Sequence, residues 1–397
     1  MVRRTLAPKL ASIAKQFPVV VLTGPRQSGK TTLAKTAFPD YAYVTLESLD
    51  NRDFAVKDPR SFLAQYDSKV IIDEAQRAPD LLSYLQAAVD EDGSPGRYIL
   101  TGSQQFHLLA QVSQSLAGRA AYLRLLPFSL AELSVTPALD PSAYHGPARG
   151  ERPRGLKLDD LLFQGLYPRI HDRKLNAADF LEAYISAYLE RDVREVLRVG
   201  DLMNFRRFVQ LCAGRSGQIL NFSALASDCG ISHPTAREWL SVLETSSIVH
   251  LLQPYHNNFS KRIMKSPKLY FVDTGLMCHL LRIRTAADLA GHPLYGAIFE
   301  TFVISEILKS FVHRGERPSL YYWRDRTGHE VDALLDMGTR MTAIEVKAGR
   351  TISSDSFKGL KFFSGLKGVR ADSVLVYGGD ESSLREGVRL RTWWQAS

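Results

Sequence analysis

Eight residues, Gly24-Pro25-Arg26-Gln27-Ser28-Gly29-Lys30-Thr31, constrain the fold of this chain more than any other stretch. They fit the pattern G-x-x-x-x-G-K-[ST] and lie between an apolar run, Pro18–Leu22, and a helix-like run, Thr32–Phe38, that stops at Pro39. Such a loop works only where a buried strand delivers it to the start of a helix. There the backbone N–H groups converge and the helix dipole favours phosphate. Glycine at 24 and 29 allows the sharp bend and the close backbone approach. The expected nucleotide-binding residues are Gly24, Pro25, Arg26, Gln27, Ser28, Gly29, Lys30, Thr31 and Thr32. Lys30 is expected at the β- and γ-phosphates, and Thr31 as a magnesium ligand.

A second element follows at the spacing that the first requires. Val70-Ile71-Ile72-Asp73-Glu74 is an apolar strand ending in two acids, 43 residues after Lys30, with room for a further strand at Tyr41–Leu46. Continuous apolar runs indicate parallel strands buried on both faces, whose carboxyl ends carry the ligand. Asp73 suits the magnesium and Glu74 the polarisation of an attacking water. The next strand, Tyr98–Leu100, ends in Thr101, Ser103 and Gln104, any of which can sense the γ-phosphate. Arg119, ahead of a strand at Ala120–Leu125, is a candidate to stabilise phosphoryl charge in cis or across a subunit interface.

The bulk numbers set limits. At 397 residues the chain has room for two or three domains. No run approaches the roughly 18 apolar residues of a membrane span. Cys212, Cys229 and Cys278 lie far apart and follow no metal-ligand spacing, which fits reduced thiols and a cytoplasmic location. The net charge of +8 favours an anionic partner without naming it.

The stretches GPRQSGKTT, IIDEAQ, ILTGSQQF and SLAGR resemble a family of prokaryotic AAA+ superfamily ATPases with a C-terminal region of unknown function. Gly165-Leu166-Tyr167-Pro168-Arg169, the helical run Tyr184–Val193 and Lys265–Leu276 resemble that family's second half. The resemblance thus spans nearly the whole chain. It implies ATP as the cofactor and the strand order of additional-strand P-loop ATPases. No guanine-reading Asn/Thr-Lys-x-Asp motif is visible, which also favours ATP. Related P-loop enzymes are often rings, but no interface signal here demands one.

Residues 135–157 are rich in Pro, Gly, Ala and Arg and read as a linker or surface loop. Beyond them, Phe222–Leu243 carries helix-turn-helix punctuation. Ser223 is placed to cap the first helix, Gly230 to make the turn, and Ser232 or His233 to open the second, with Trp239, Leu240 and Leu243 buried. His233, Thr235 and Arg237 are candidates to contact DNA, with Lys261 and Arg262 on a wing. From 201 to 270 there are eight Lys/Arg against four acids. A winged helix follows from this pattern.

The last third holds an acid–lysine constellation. Glu330–Leu335 and Thr342–Lys347 read as a hairpin, in which Glu345 and Lys347 share a face and Asp332 comes beside Glu345. Two such carboxylates can hold Mg²⁺ or Mn²⁺, and the lysine can orient a water or stabilise a pentavalent phosphate. Asp…Glu-x-Lys resembles the core of the PD-(D/E)xK nuclease superfamily. Glu300 falls in the middle of the apolar face of a helix over Ala297–Phe311, where a carboxylate needs pairing or a metal. The resemblance gives Glu300 the place of the helix acid of that superfamily. Arg324 and Arg326 are candidates for phosphate contacts.

The expected fold is α/β. It comprises a P-loop NTPase parallel sheet (1–136), a linker (137–157), a helical and winged-helix region (158–268), and a restriction-endonuclease-like α/β domain (269–397). The expected function is an ATPase using Lys30, Thr31, Asp73, Glu74 and Arg119, coupled to DNA binding and metal-dependent cleavage at Glu300, Asp332, Glu345 and Lys347. The alternative is a non-nucleolytic ATP switch that binds DNA or a protein.

Overall fold

Apolar β-branched runs flanked by helices give the first layer. The computed structural model describes residues 2–102, 116–147, 150–188, 202–256 and 266–397. Strands β1 (Val19–Thr23), β2 (Ala42–Thr45), β3 (Val70–Asp73), β4 (Tyr98–Thr101) and β5 (Ala120–Arg124) form a parallel sheet in the order β2-β3-β4-β1-β5. Strands β1, β3 and β4 are buried along their whole length, whereas β2, at the edge, exposes Ala42 and Tyr43. The register aligns Thr45 with Asp73, Asp73 with Thr101, and Leu22 with Thr101. The polar strand ends therefore meet on one edge, beside the loop that leaves β1.

The segment expected as a linker is docked. Pro141 and Tyr144 are buried, and the Arg391 guanidinium donates to the carbonyls of Tyr144 (2.8 Å) and Gly146 (3.1 Å). A short 3-10 helix, Pro141–Ala143, and the turn after it lie against the last domain, where the side chain of a distant arginine satisfies the backbone.

In the middle region, Asn221 and not Ser223 caps the helix Phe222–Cys229, accepting from Ala224 N at 3.0 Å. The helix starts one residue before Ser223, so the side chain that precedes it does the capping. Gly230 takes the left-handed turn (φ +69°), and Ser232 caps the helix His233–Thr245 by accepting from Thr235 N at 3.2 Å. Trp239, Leu240 and Leu243 are buried, with Trp239 edge-on to Phe205 and Phe208. Strands β6 (Val249–Leu252) and β7 (Lys268–Phe271) pair antiparallel behind these helices. The expected boundary at 268/269 thus falls inside a strand shared with the middle region.

Two stretches that carried the family resemblance meet at one lock. Asp273 accepts from Leu166 N at 2.7 Å and caps the helix Thr274–Leu280 through Leu276 N at 3.0 Å. A Cβ on Gly165 would lie 2.2 Å from the Asp273 carboxylate, and one on Gly275 would lie 2.4 Å from the Gln164 carbonyl. Glycine is needed at both positions for close approach. Residues 189–193 of the third stretch lie outside the described residues.

The last domain is a mixed sheet ordered β12-β13-β11-β10-β9-β8. Its strands are β8 (Leu320–Arg324), β9 (Glu330–Asp336), β10 (Met341–Lys347), β11 (Ala371–Tyr377), β12 (Ser383–Arg385) and β13 (Val388–Thr392). Strands β8, β9 and β10 are antiparallel neighbours, while β10, β11 and β13 run parallel. The helix Tyr295–Val312 packs on one face through Ile344 and Val346, and the helix Lys358–Ser364 on the other through Val331 and Ala343. The first of these is buried almost all round, as expected of a helix apolar on every side. Its core joins that of the middle helices into one cluster from Phe128 to Ala396. Among the described residues no helix is long and apolar enough to cross a membrane.

Candidate functional site

The first site is built where β1 ends. Gly24 (φ +143°) passes so close to β5 that a Cβ would lie 2.1 Å from the Leu125 carbonyl, and Gly29 (φ +94°) turns the chain into the helix Lys30–Ala37. The Lys30 ammonium donates to the carbonyls of Gly24 (2.9 Å) and Pro25 (2.8 Å), which holds it against the loop. The Ser28 hydroxyl is buried there without a hydrogen-bond partner among the described residues.

Opposite the loop, one carboxylate gathers three hydroxyls. The Thr31 hydroxyl lies 3.1 Å from both oxygens of Asp73, the Tyr43 hydroxyl donates at 3.0 Å, and Thr101 donates to Oδ1. Asp73 is only 8% exposed, and every donor is neutral. Burial, followed by the Asp73 charge, pushes the Tyr43 phenol up to about 12, so it keeps its proton. The donor set fits a magnesium ion: a threonine hydroxyl and a carboxylate at one point, with an orphaned buried hydroxyl in the phosphate cradle. Glu74, directly after Asp73, sits in a left-handed conformation (φ +56°) that turns it away from the strand line, and Gln76 donates to its carboxylate. Such a backbone is uncommon for glutamate.

Among the γ-phosphate candidates, Thr101 is the one the structure brings to Asp73; Ser103 and Gln104 lie outside the described residues. Arg119 does not reach the loop in cis. Its neighbour Ala120 aligns with Val19, at the amino end of the sheet, whereas the loop leaves the carboxyl end after Thr23. The Arg119 guanidinium instead pairs with Asp90. The arginine at the phosphate end is Arg124, beside Thr23, where burial lowers its pKa and the Glu244 charge partly restores it.

A buried ionic group behind the loop was not foreseen. Arg4 donates to Ser28 O (2.6 Å), Leu126 O (2.6 Å) and Glu132 (3.1 Å). Glu132 also accepts from Thr5 N (2.7 Å) and Ser129 N (3.1 Å), and its other oxygen lies 3.5 Å from His313 Nδ1. The N-terminal Arg-Arg dipeptide offered no periodicity to reveal this.

The second site lies where two strands part. The β9–β10 ladder ends at Ala333–Ile344, and the next amide, Val346 N, donates instead to the Asp332 carboxylate at 2.8 Å. Lys347 donates to Glu345 Oε1 at 2.6 Å, as the shared face requires. Glu345 Oε2 is buried without a hydrogen-bond partner among the described residues, 3.4 Å from where a Cβ on Gly359 would sit. Burial raises the carboxyl pKa of Glu300, Asp332 and Glu345. The Asp332 charge adds to the rise at Glu300 and Glu345.

Glu300 is paired, one of the two alternatives that its place on the helix offered. It accepts from Tyr270 OH (2.5 Å) and Lys268 Nζ (3.3 Å), two residues that alternate on β7, and Lys268 also pairs with Glu330. Among the described residues no group of three or more His, Cys, Asp or Glu side chains is arranged to hold a metal. Lysine and tyrosine thus already engage Glu300, one of the three acids at which the sequence reading placed a metal. Arg324 lies 3.4 Å from Glu330, and Arg326 is exposed.

Of the expected DNA contacts, His233 and Arg237 are exposed and flank Phe222, with the Arg237 guanidinium 5.0 Å from that ring and the His233 ring 5.7 Å from it. Thr235 is engaged in the cap, 2.7 Å from Ser232 Oγ. Lys261 and Arg262 lie outside the described residues.

Three family models match the chain: an AAA domain over residues 16–134, a domain of unknown function (DUF8612) over 155–287, and a domain of unknown function (DUF4143) over 295–393. The chain is 30% identical over 354 residues to the uncharacterized protein Rv2008c of Mycobacterium tuberculosis, covering 88% of this chain and 75% of that protein. The uncharacterized protein Mb2031c of Mycobacterium bovis matches with the same figures. Among solved structures it is similar to the Walker-type ATPase PABY2304 of Pyrococcus abyssi, at 16% identity and a TM-score of 0.46, over 70% of this chain and 95% of that one. With 30% identity across three quarters of each curated relative, the chain belongs to the family of these two mycobacterial proteins, and its first domain is an AAA-type P-loop ATPase domain.

Proposed function

We propose that the chain is an ATP-binding and ATP-hydrolysing switch whose nucleotide state controls a DNA-binding C-terminal region. The observation that carries this reading is the Asp73 carboxylate, met by Thr31, Tyr43 and Thr101 opposite the loop. Backbone N–H groups of the loop between Arg26 and Thr32 and the Lys30 ammonium bind the β- and γ-phosphates. Thr31 and Asp73 hold magnesium, whose chemistry there is to neutralise charge on the phosphate oxygens. Glu74 orients the attacking water and accepts its proton, while Thr101 reads the γ-phosphate through the same carboxylate.

The Arg4–Glu132 group supports control over distance. It touches the loop at Ser28 and approaches His313, the C-cap of the helix that carries Glu300, with Glu300 roughly 20 Å away along its axis. DNA as the partner is supported by the net charge of +8 and by the exposed His233 and Arg237 on the second helix of a helix-turn-helix. The test is salt-dependent binding to duplex DNA with and without ATP. Binding should weaken with salt at a log–log slope of about −0.9 per phosphate contacted. A His233→Ala/Arg237→Ala variant should show a shallower slope. Affinity that ignores both salt and ATP would defeat the proposal and leave a protein partner.

A second reading, metal-dependent cleavage by a PD-(D/E)xK-like domain, is favoured by the parted strands at Asp332 and the Glu345–Lys347 pair. Nicking of supercoiled plasmid with Mg²⁺ or Mn²⁺, lost in Asp332→Ala and Lys347→Ala, would establish it.

A further inference from the structure

The acid cluster contains a cation of its own. Lys268 is fixed in β7, opposite Leu252, and its side chain is 4% exposed. Its ammonium pairs with Glu330, lies 3.3 Å from Glu300 and 4.0 Å from Asp332, and is flanked by the rings of Tyr270 and Tyr322 at 6.0 and 5.7 Å. Burial disfavours its charge, but Glu300, Asp332 and Glu330 outweigh this and keep it firmly protonated.

A divalent ion bound by the same carboxylates needs their oxygens at about 2.0–2.2 Å. It must also bear the repulsion of an ammonium a few ångströms away, in a site too buried for water to screen it. Lysine meets the same carboxylates with three N–H donors and a flexible stem. We propose that Lys268 is the resident counter-ion of this cluster and excludes Mg²⁺ and Mn²⁺ from Glu300, Asp332 and Glu345. The proposal goes beyond the ATP switch and does not depend on it. Under it the parted strands and the Glu345–Lys347 pair form a charge-balanced scaffold, and metal-dependent cleavage requires the lysine to leave.

The test is Mn²⁺ binding to the full, nucleotide-free chain, read by loss of the free-ion electron paramagnetic resonance signal. Wild type should show no binding that depends on Glu345. Lys268→Met should gain one site, at least about tenfold tighter than any in wild type, and lose it in Lys268→Met/Glu345→Gln. Glu345-dependent binding in wild type as tight as in Lys268→Met, or no gain in Lys268→Met, overturns the proposal. If Lys268→Met does not fold, acylation of Lys268 in wild type, followed by mass spectrometry, decides the matter. Protection unchanged by MnCl₂ supports the resident cation, and labelling that rises with MnCl₂ refutes it. ATP turnover of the same preparations reports separately on the P-loop reading.

Discussion

Two aspartates in this chain, Asp73 buried and Asp332 half-buried, have opposite surroundings. Asp73 is met by three hydroxyls, neutral donors that leave its negative charge for something else to use. Asp332 is met by an amide, with Lys268 and Lys347 among its charged neighbours, and these lysines offset a crowd of carboxylates. The first site is therefore incomplete without an external cation, and the second is close to complete by itself. An acid at a strand end is only half of a metal site; the charge of what it already touches is the other half.

The strongest way to break this contrast is at Lys30. Its ammonium donates to two backbone carbonyls of its own loop, which holds it where a bound phosphate would lie. Lys30→Ala should lower ATP turnover by roughly 10³-fold, about 4 kcal/mol of transition-state stabilisation, while leaving the urea midpoint nearly unchanged. Steady-state phosphate release and urea denaturation of the same preparation check both halves. A variant that unfolds, or one that still hydrolyses ATP, would mean that Lys30 is structural in the way Lys268 is.

How much of this was readable beforehand divides along the same line. The loop, Asp73 and Glu74 were legible, with Thr101 as one of three candidates, because a parallel sheet places consecutive strand ends on one edge, so local runs suffice to position them. The hairpin pair Glu345 and Lys347 was legible for the same local reason, through the two-residue repeat of a strand. Arg4 with Glu132, 128 residues apart, and Lys268 with Glu300, 32 apart, were not. Each depends on which elements pack together, and a lone charged residue in an apolar neighbourhood carries no period to announce its partner. The cis alternative for Arg119 failed because its distance from the loop is set by which end of β5 it precedes, and a motif does not record that.

The network between the two sites gives the next test, with pH as the probe. His313 is buried; burial first, with Arg4 and Lys309 helping and Glu132 opposing, lowers its pKa from 6.5 to about 4. Because the folded value lies below the unfolded one, the native state resists protonation that the unfolded chain accepts. Its stabilisation is present above pH 6.5 and is lost as pH falls toward 4. That amounts to about 2 kcal/mol between pH 7 and 5. The raised carboxyls of Glu300, Asp332 and Glu345 act in the opposite sense. Their contribution is whole below the ordinary carboxylate range and is lost as pH rises through their folded values. The urea midpoint of wild type should therefore fall further between pH 7 and pH 5 than that of His313→Leu. Equal pH dependence in both would remove His313 from the account.

The smallest effect is the most selective. Tyr43→Phe removes one of the three hydroxyls on Asp73 and nothing else from the loop. With Thr31 and Thr101 still donating, the carboxylate stays satisfied, and the loss should be that of one hydrogen bond to a charged group, about 1–2 kcal/mol. In phosphate-release assays this is roughly a five- to thirtyfold fall in kcat/KM. The result separates two views of Asp73. If hydroxyls merely solvate it, Tyr43→Phe and Thr101→Val should have similar, nearly additive effects. If Thr101 passes the state of the γ-phosphate to the carboxylate, Thr101→Val should lower kcat far more than Tyr43→Phe at a similar KM. Tyr43, on the edge strand and bound to the other Asp73 oxygen from Thr101, then supplies the baseline against which a sensor is recognised.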